Sequence, residues 1–287
     1  MPTTPTLSPF LDKPVDPADA KYIVFGAPLD KTSSNRKGTR FGPDAIRRES
    51  SYLDTYSQRT GLDWDDLKLA DIGDVNCGDV ESCLADIEEL IKSTDKVPFM
   101  LGGEHLITLG ALRAVKPDLV IVYDAHLDLR NELFGEHMSH ATYLRRGYEE
   151  LGYKAIVLGA RALSSEEVEY AAGNDDLSYI TSLNIITGKA DPVKTVNEAI
   201  ESASRIYLSI DLDVLDPAYA PAVGNPHPEG LTTTQLMDII SGTLTSKVAG
   251  FDLNEVYPHF DAGNTATTAA YIVMETLYSH IRSLRVD

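Results

Sequence analysis

The chain has 287 residues, 43% of them hydrophobic and 24% charged, an ordinary globular composition that excludes disorder, collagen and coiled coil. Its 25 Lys and Arg stand against 44 Asp and Glu, a formal charge of −19, which disfavours phosphate backbones and anionic membranes and suits cationic small molecules. No nucleic-acid partner and no membrane partner is expected.

Residues 1–20 are rich in Pro and Thr and lack both a basic and an apolar segment. They read as an N-terminal arm, neither secretory signal nor membrane anchor, and the protein is expected to be cytoplasmic. From residue 21 to 287, short apolar runs alternate with amphipathic stretches, the signature of βα units around a parallel sheet. Strands are expected at 22–26, 67–71, 97–101, 119–123, 155–158, 177–180, 205–210 and 248–253. Helices are expected at 43–52, 80–93, 107–115, 138–151, 165–172, 193–203, 234–245 and 264–284. Pro43 after Gly42 suits a first helical position, and Thr234 can cap its helix. No linker or repeat divides residues 21–287. One three-layer α/β/α domain with a mostly parallel, about eight-stranded central sheet follows. Two cysteines, Cys77 and Cys83, make no disulfide framework and no zinc site, so both are expected as reduced thiols.

Ligands of such sheets bind beyond the carboxyl ends of the strands. The apolar run 119–123 passes straight into Asp124-Ala125-His126-Leu127-Asp128, and alternation along an extended chain puts Asp124, His126 and Asp128 on one side. Run 206–210 ends likewise in Asp211-Leu212-Asp213. Asp216, directly before Pro217, suits a turn and is assigned a supporting role. Strand 97–101 leads into Gly102-Gly103-Glu104-His105, where paired glycines permit close backbone approach. Glu104 either orients a neighbour or faces solvent. Acids at this density are either fully solvated, as in an exposed acidic loop, or gathered around a cation. Two imidazoles and four carboxylates are too many for one tetrahedral zinc, and without Cys ligands they suit a pair of manganese ions.

These segments resemble the ureohydrolases, the arginase and agmatinase family. The pattern is Gly-Gly-X-His, then Asp-Ala-His-X-Asp, then Ser-X-Asp-X-Asp-X-X-Asp-Pro, here Ser209 to Pro217. Gly26-Ala27-Pro28 and Gly38 to Pro43 near the front, and Phe251 to Pro258 near the end, extend the resemblance over nearly the whole chain. It implies an arginase-like fold and two Mn2+ per chain. His105, Asp124, Asp128 and Asp211 would surround one ion, and Asp124, His126, Asp211 and Asp213 the other. It further implies that Glu255 pairs with a substrate guanidinium, that Asp128 passes a proton towards the leaving amine, and that His140 relays protons, with His137 as the alternative. Leu106 and the loop 222–230, with His227 and Glu229, depart from the family's usual residues.

The implied reaction is hydrolysis of a guanidino compound to urea and an amine. The segment after Asp128, Leu129-Arg130-Asn131-Glu132-Leu133, resembles the microbial agmatinase branch. Glu132, Glu136 and the net charge favour agmatine, giving putrescine, with aminopropylagmatine equally suited. Guanidinobutyrate ranks lower unless Arg130 lines the pocket, and arginine and formiminoglutamate are further alternatives. A deacetylase of the same fold would lack the full ligand set, and a silent assembly or regulatory subunit would have lost a ligand. The family commonly forms trimers and hexamers, so a homo-oligomer is expected.

Overall fold

Runs of Val, Ile and Leu that are too short for helices, and that must be covered on both faces, become parallel strands. The computed structural model describes residues 3–6, 8–13 and 15–285; the expected arm and domain thus each include a few positions outside it. Nine strands form one sheet: β1 (Thr3–Thr4), β2 (Tyr22–Ala27), β3 (Leu69–Val75), β4 (Val97–Gly102), β5 (Leu119–Tyr123), β6 (Lys154–Ala160), β7 (Leu177–Thr181), β8 (Ile206–Asp211) and β9 (Val248–Asn254). Their order is β1-β3-β2-β4-β9-β8-β5-β6-β7. All neighbours are parallel except β1, which pairs antiparallel with β3.

Among the described residues, ten α-helices cover the faces: α1 (Gly42–Ser50), α2 (Trp64–Leu67), α3 (Val80–Lys92), α4 (Thr108–Val115), α5 (Tyr143–Leu151), α6 (Ser165–Ala172), α7 (Ser182–Ile186), α8 (Pro192–Ser202), α9 (Thr233–Thr243) and α10 (Asn264–Ser283). Alternate strand residues enter two apolar cores. Phe99, Ile121, Leu208 and Phe251 pack with α1, α8, α9 and α10, whereas Met100, Val122 and Tyr207 pack with α3, α4 and α5. The result is the expected three-layer α/β/α arrangement. Among the described residues no helix is long and apolar enough to cross a membrane.

Within the arm, Phe10 and Leu11 are buried, and the Phe10 N–H donates to Asp71 Oδ2 at 2.9 Å. Several local expectations are corrected. The third strand begins at Leu69, not 67, because Asp63 and Asp66 close a capping box around α2 and Lys68 then turns through φ 47°. The helix expected from 138 starts at Tyr143, since the preceding residues form the loop that carries His140. The cap of α9 is Thr232, whose hydroxyl accepts from Gln235 N at 3.1 Å, not Thr234. Cys77 and Cys83, expected as free thiols, form a disulfide. The turn that leads into α3 folds residue 77 over the helix's first turn and leaves the Cα atoms 4.3 Å apart.

Candidate metal centre and active site

The central strands β4, β9, β8 and β5 are consecutive in the sheet, and their shared direction puts all four carboxyl ends on one edge. Register aligns them: Leu101 pairs with Leu253, Leu253 with Ile210, and Ile210 with Tyr123. The three segments singled out in the sequence therefore leave the sheet side by side. The paired glycines at the end of β4 are sterically required. A Cβ at Gly102 would lie 1.8 Å from Asn254 Oδ1, and one at Gly103 would lie 2.1 Å from Leu29 O.

His105 Nδ1 lies 3.1 Å from Asp124 Oδ2, 3.3 Å from Asp211 Oδ2 and 3.4 Å from Asp128 Oδ2. His126 Nδ1 lies 3.1 Å from Asp213 Oδ2 and 3.4 Å from Asp124 Oδ1. Two donor groups result, His105–Asp124–Asp211 and Asp124–His126–Asp213, sharing Asp124. The donors fit metal ions. His105 Nδ1 and Asp124 Oδ2 are buried, face one another, and have no hydrogen-bond partner among the described residues. Atoms so placed are satisfied by a third atom between them.

The far side of His105 fixes its tautomer. Asp252 accepts from Ser209 Oγ at 2.5 Å, Tyr207 OH at 2.8 Å and Thr108 Oγ1 at 2.9 Å. The Ser209 proton is therefore committed to Asp252, and Ser209 Oγ accepts from His105 Nε2 at 2.8 Å. Tyr143 OH lies 2.9 Å from the same nitrogen. Nε2 thus carries the hydrogen and Nδ1 offers its lone pair to the cluster.

Burial opposes charge on both imidazoles, yet the surrounding carboxylates raise both pKa values well above 6.5. Against burial, the adjacent imidazoles of His105 and His126 hold Asp124 well below the usual carboxylate range. Burial and the Asp124 charge push Asp128 up to about 7, and burial with the Asp213 charge pushes Asp211 well up. Positive charge is what these acids need, and a divalent cation is its densest form.

Beside the cluster lies a cavity of about 240 Å³ whose lining includes His105, Asp128, Asp211, His140 and Glu255. Glu255 accepts from His105 N–H and from Tyr257 OH, each at 2.8 Å; burial and the Glu104 charge push its carboxyl up to about 8. Asp128 and Glu255 both hold left-handed φ angles, 52° and 66°, which side-chain-bearing residues adopt infrequently. His140 is buried and meets Thr32 and Ser34; burial and neighbouring positive charge hold its pKa down at about 4. His137 is exposed, bonds the Asn131 carbonyl and lines a separate groove. Arg130 does line the cavity, 3.7 Å from buried Glu167. His227 is exposed on the entrance loop. Asp216 accepts from Ala218 N and Gly230 N, a turn-building role.

Arg161 was not anticipated. Its guanidinium donates to six main-chain carbonyls, those of Gly159, Asp213, Val214, Leu215, His227 and Pro228, at 2.7–3.3 Å. It ties the ligand segment after β8 to the entrance loop. Asp252 carried a usable signal, an acid between Phe251 and Leu253 in an apolar run, since a buried carboxylate demands donors. Thr32, Ser34 and Tyr143 carried none, because their partners lie far away in sequence.

The arginase family pattern matches residues 20–278. The N(1)-aminopropylagmatine ureohydrolase of Thermococcus kodakarensis is 36% identical over 278 residues, 92% of each chain. The guanidinobutyrase of Pseudomonas aeruginosa is 36% identical over 92% of this chain and 86% of its own. The crystal structure of the agmatine ureohydrolase of Thermoplasma volcanium superposes with a TM-score of 0.88 at 35% identity, covering 98% of this chain and 97% of that one. With this sheet, this donor cluster and these similarities, the chain belongs to the arginase family and resembles its agmatinase and ureohydrolase members, hydrolases of C–N bonds in linear amidines.

Proposed function

We propose that the protein hydrolyses agmatine to putrescine and urea with two manganese ions. The observation that carries this reading is the meeting of two imidazoles and four carboxylates beside a cavity walled by Glu255. His105, Asp124, Asp128 and Asp211 would hold one ion and Asp124, His126, Asp211 and Asp213 the other. Such a pair supplies an ionised water as nucleophile near neutral pH.

The chain's own groups do the rest. Glu255 is pinned by His105 N–H and Tyr257 OH, so its remaining lone pairs are preorganised to pair with a planar guanidinium and fix the carbon's position. Asp128 accepts the proton of the nucleophile and hands it to the departing amine, while His140 exchanges protons between amine and solvent.

The cavity wall supports a cationic tail. The Arg130 guanidinium in that wall is paired with buried Glu167, so it does not oppose a second cation, and the chain's net charge of −19 favours one. A second reading, guanidinobutyrate, draws on one observation, that Arg130 reaches this wall. A urea assay on the manganese-loaded protein with agmatine, aminopropylagmatine, guanidinobutyrate and arginine decides between them. Agmatine is expected to give the highest kcat/KM, with activity lost on chelation and two ions per chain by metal analysis. A preference for guanidinobutyrate would install the second reading, and inactivity towards all four would end both.

A further inference from the structure

Glu104 has no assigned part in the chemistry, yet it is wholly buried and bonds the loop that faces His140. Its Oε1 accepts from Thr32 N at 2.6 Å and Ser33 N at 3.1 Å, and its Oε2 accepts from the Thr32 hydroxyl. A threonine hydroxyl has one proton and two lone pairs. With the proton given to Glu104, only acceptor capacity remains on Thr32 Oγ1. His140 uses both lone pairs, its main-chain N–H at 3.1 Å and its Nδ1 at 3.2 Å. Nδ1 must therefore carry a hydrogen.

The other ring nitrogen obeys the same logic in reverse. Asn225 Nδ2 donates to Ser34 Oγ at 3.3 Å, and the Ser34 proton is available to His140 Nε2, also 3.3 Å away, which bears no hydrogen in a neutral ring protonated at Nδ1. Nε2 is then an acceptor.

We propose that Glu104 and Thr32 are positioning residues that lock His140 as the Nδ1–H tautomer and turn a bare Nε2 towards the cavity. The functional weight of this arrangement rests on reading His140 as the proton relay. A proton taken from the cavity side lands on Nε2, giving an imidazolium whose Nδ1–H still bonds Thr32, so the ring need not rotate between accepting and releasing it. Burial, which keeps His140 neutral near pH 7, preserves the state in which the tautomer matters. The arrangement parallels His105, where Asp252 acts through Ser209 to place the hydrogen on Nε2 and free Nδ1. In both cases a buried carboxylate commits a hydroxyl proton, and the hydroxyl then dictates the imidazole.

The test is solid-state NMR of the full chain labelled at histidine Nδ1 with 15N, the His140 signal being assigned by its loss in His140→Asn. The expected wild-type signal is of the protonated, pyrrole type. Thr32→Val removes the acceptor and should convert it to the bare, pyridine type, with turnover falling about tenfold, within the range for a general acid–base group. Thr32→Ser should restore both. Glu104→Gln is the sharper probe: with Oε1 still accepting two amides, its new NH2 faces Thr32, whose freed hydroxyl should donate a hydrogen bond to Nδ1, so that the ring's one hydrogen moves through solvent from Nδ1 to Nε2 and the tautomer is inverted. A bare Nδ1 in the wild type, or an unchanged signal in Thr32→Val, overturns the proposal. Undiminished turnover in His140→Asn would instead remove the relay role, a separate result that the NMR signal does not depend on.

Discussion

Two buried charged clusters sit in this sheet, and they balance their charge differently. At its β2–β3 side, Arg47 is fully buried and donates to Asp71 at 2.8 and 3.0 Å and to Asp74 at 2.5 Å. Asp71 also receives the Phe10 amide. That cluster carries its own fixed cation and closes on itself. Beyond β4, β8 and β5, four carboxylates gather around two imidazoles, and among the described residues no Arg or Lys side chain lies within ion-pair distance of them. A structural cluster neutralises itself with a side chain; a metal centre leaves its negative charge for an ion to neutralise.

The contrast can be broken at either end. The largest effect is expected at the proposed metal centre. Asp128→Asn should retain much of the metal and lose turnover by about 10⁴-fold, the upper range for proton transfer, with little change in unfolding midpoint; full activity would refute the assignment. Asn also tolerates the left-handed backbone that Asp128 holds, so a loss would report on chemistry. Arg47→Met should do the opposite, strand two acids and lower stability by about 4 kcal/mol in urea denaturation. A loss below about 1 kcal/mol would erase the contrast.

A third way to bury a titratable group is to keep it neutral. Burial and the nearby Lys21 charge hold His280 down at about 4, against 6.5 for a free imidazole, and Tyr22 OH meets its Nδ1 at 3.0 Å. The folded state thus binds fewer protons than the unfolded state between those values, so stability falls as pH drops through that window. The loss should approach about 3 kcal/mol, and His280→Gln should flatten this limb in pH-dependent unfolding. The smallest effect concerns the wall of the cavity. Arg130→Gln removes its one guanidinium and should raise the ratio of kcat/KM for agmatine over guanidinobutyrate about tenfold, about 1.4 kcal/mol. A fall in that ratio would reverse the role given to Arg130.

What was legible in the sequence followed from local rules. Apolar runs ending abruptly in acids marked the carboxyl edge of the sheet, and the bounds of α6, from Ser165 to Ala172, agree with its pattern. Long-range geometry was not legible. The docking of Phe10 on Asp71, 61 residues away, is of this kind, whereas the capping box that displaced β3 and the Cys77–Cys83 bond are local but depend on how a turn folds back, which composition does not encode. Glu104 illustrates the limit. Its neighbour His105 was readable from a short motif, whereas its own partners, Thr32 and Ser33, lie 72 and 71 residues away.

Arg161 grips only carbonyl oxygens, and these are present whatever residue supplies them. The entrance loop is therefore free to drift in sequence at positions such as 227 and 228 without loosening the strut that steadies Asp213. Descendants of such a chain can explore new guanidines by rewriting that rim while the hydrolytic machinery beneath stays still.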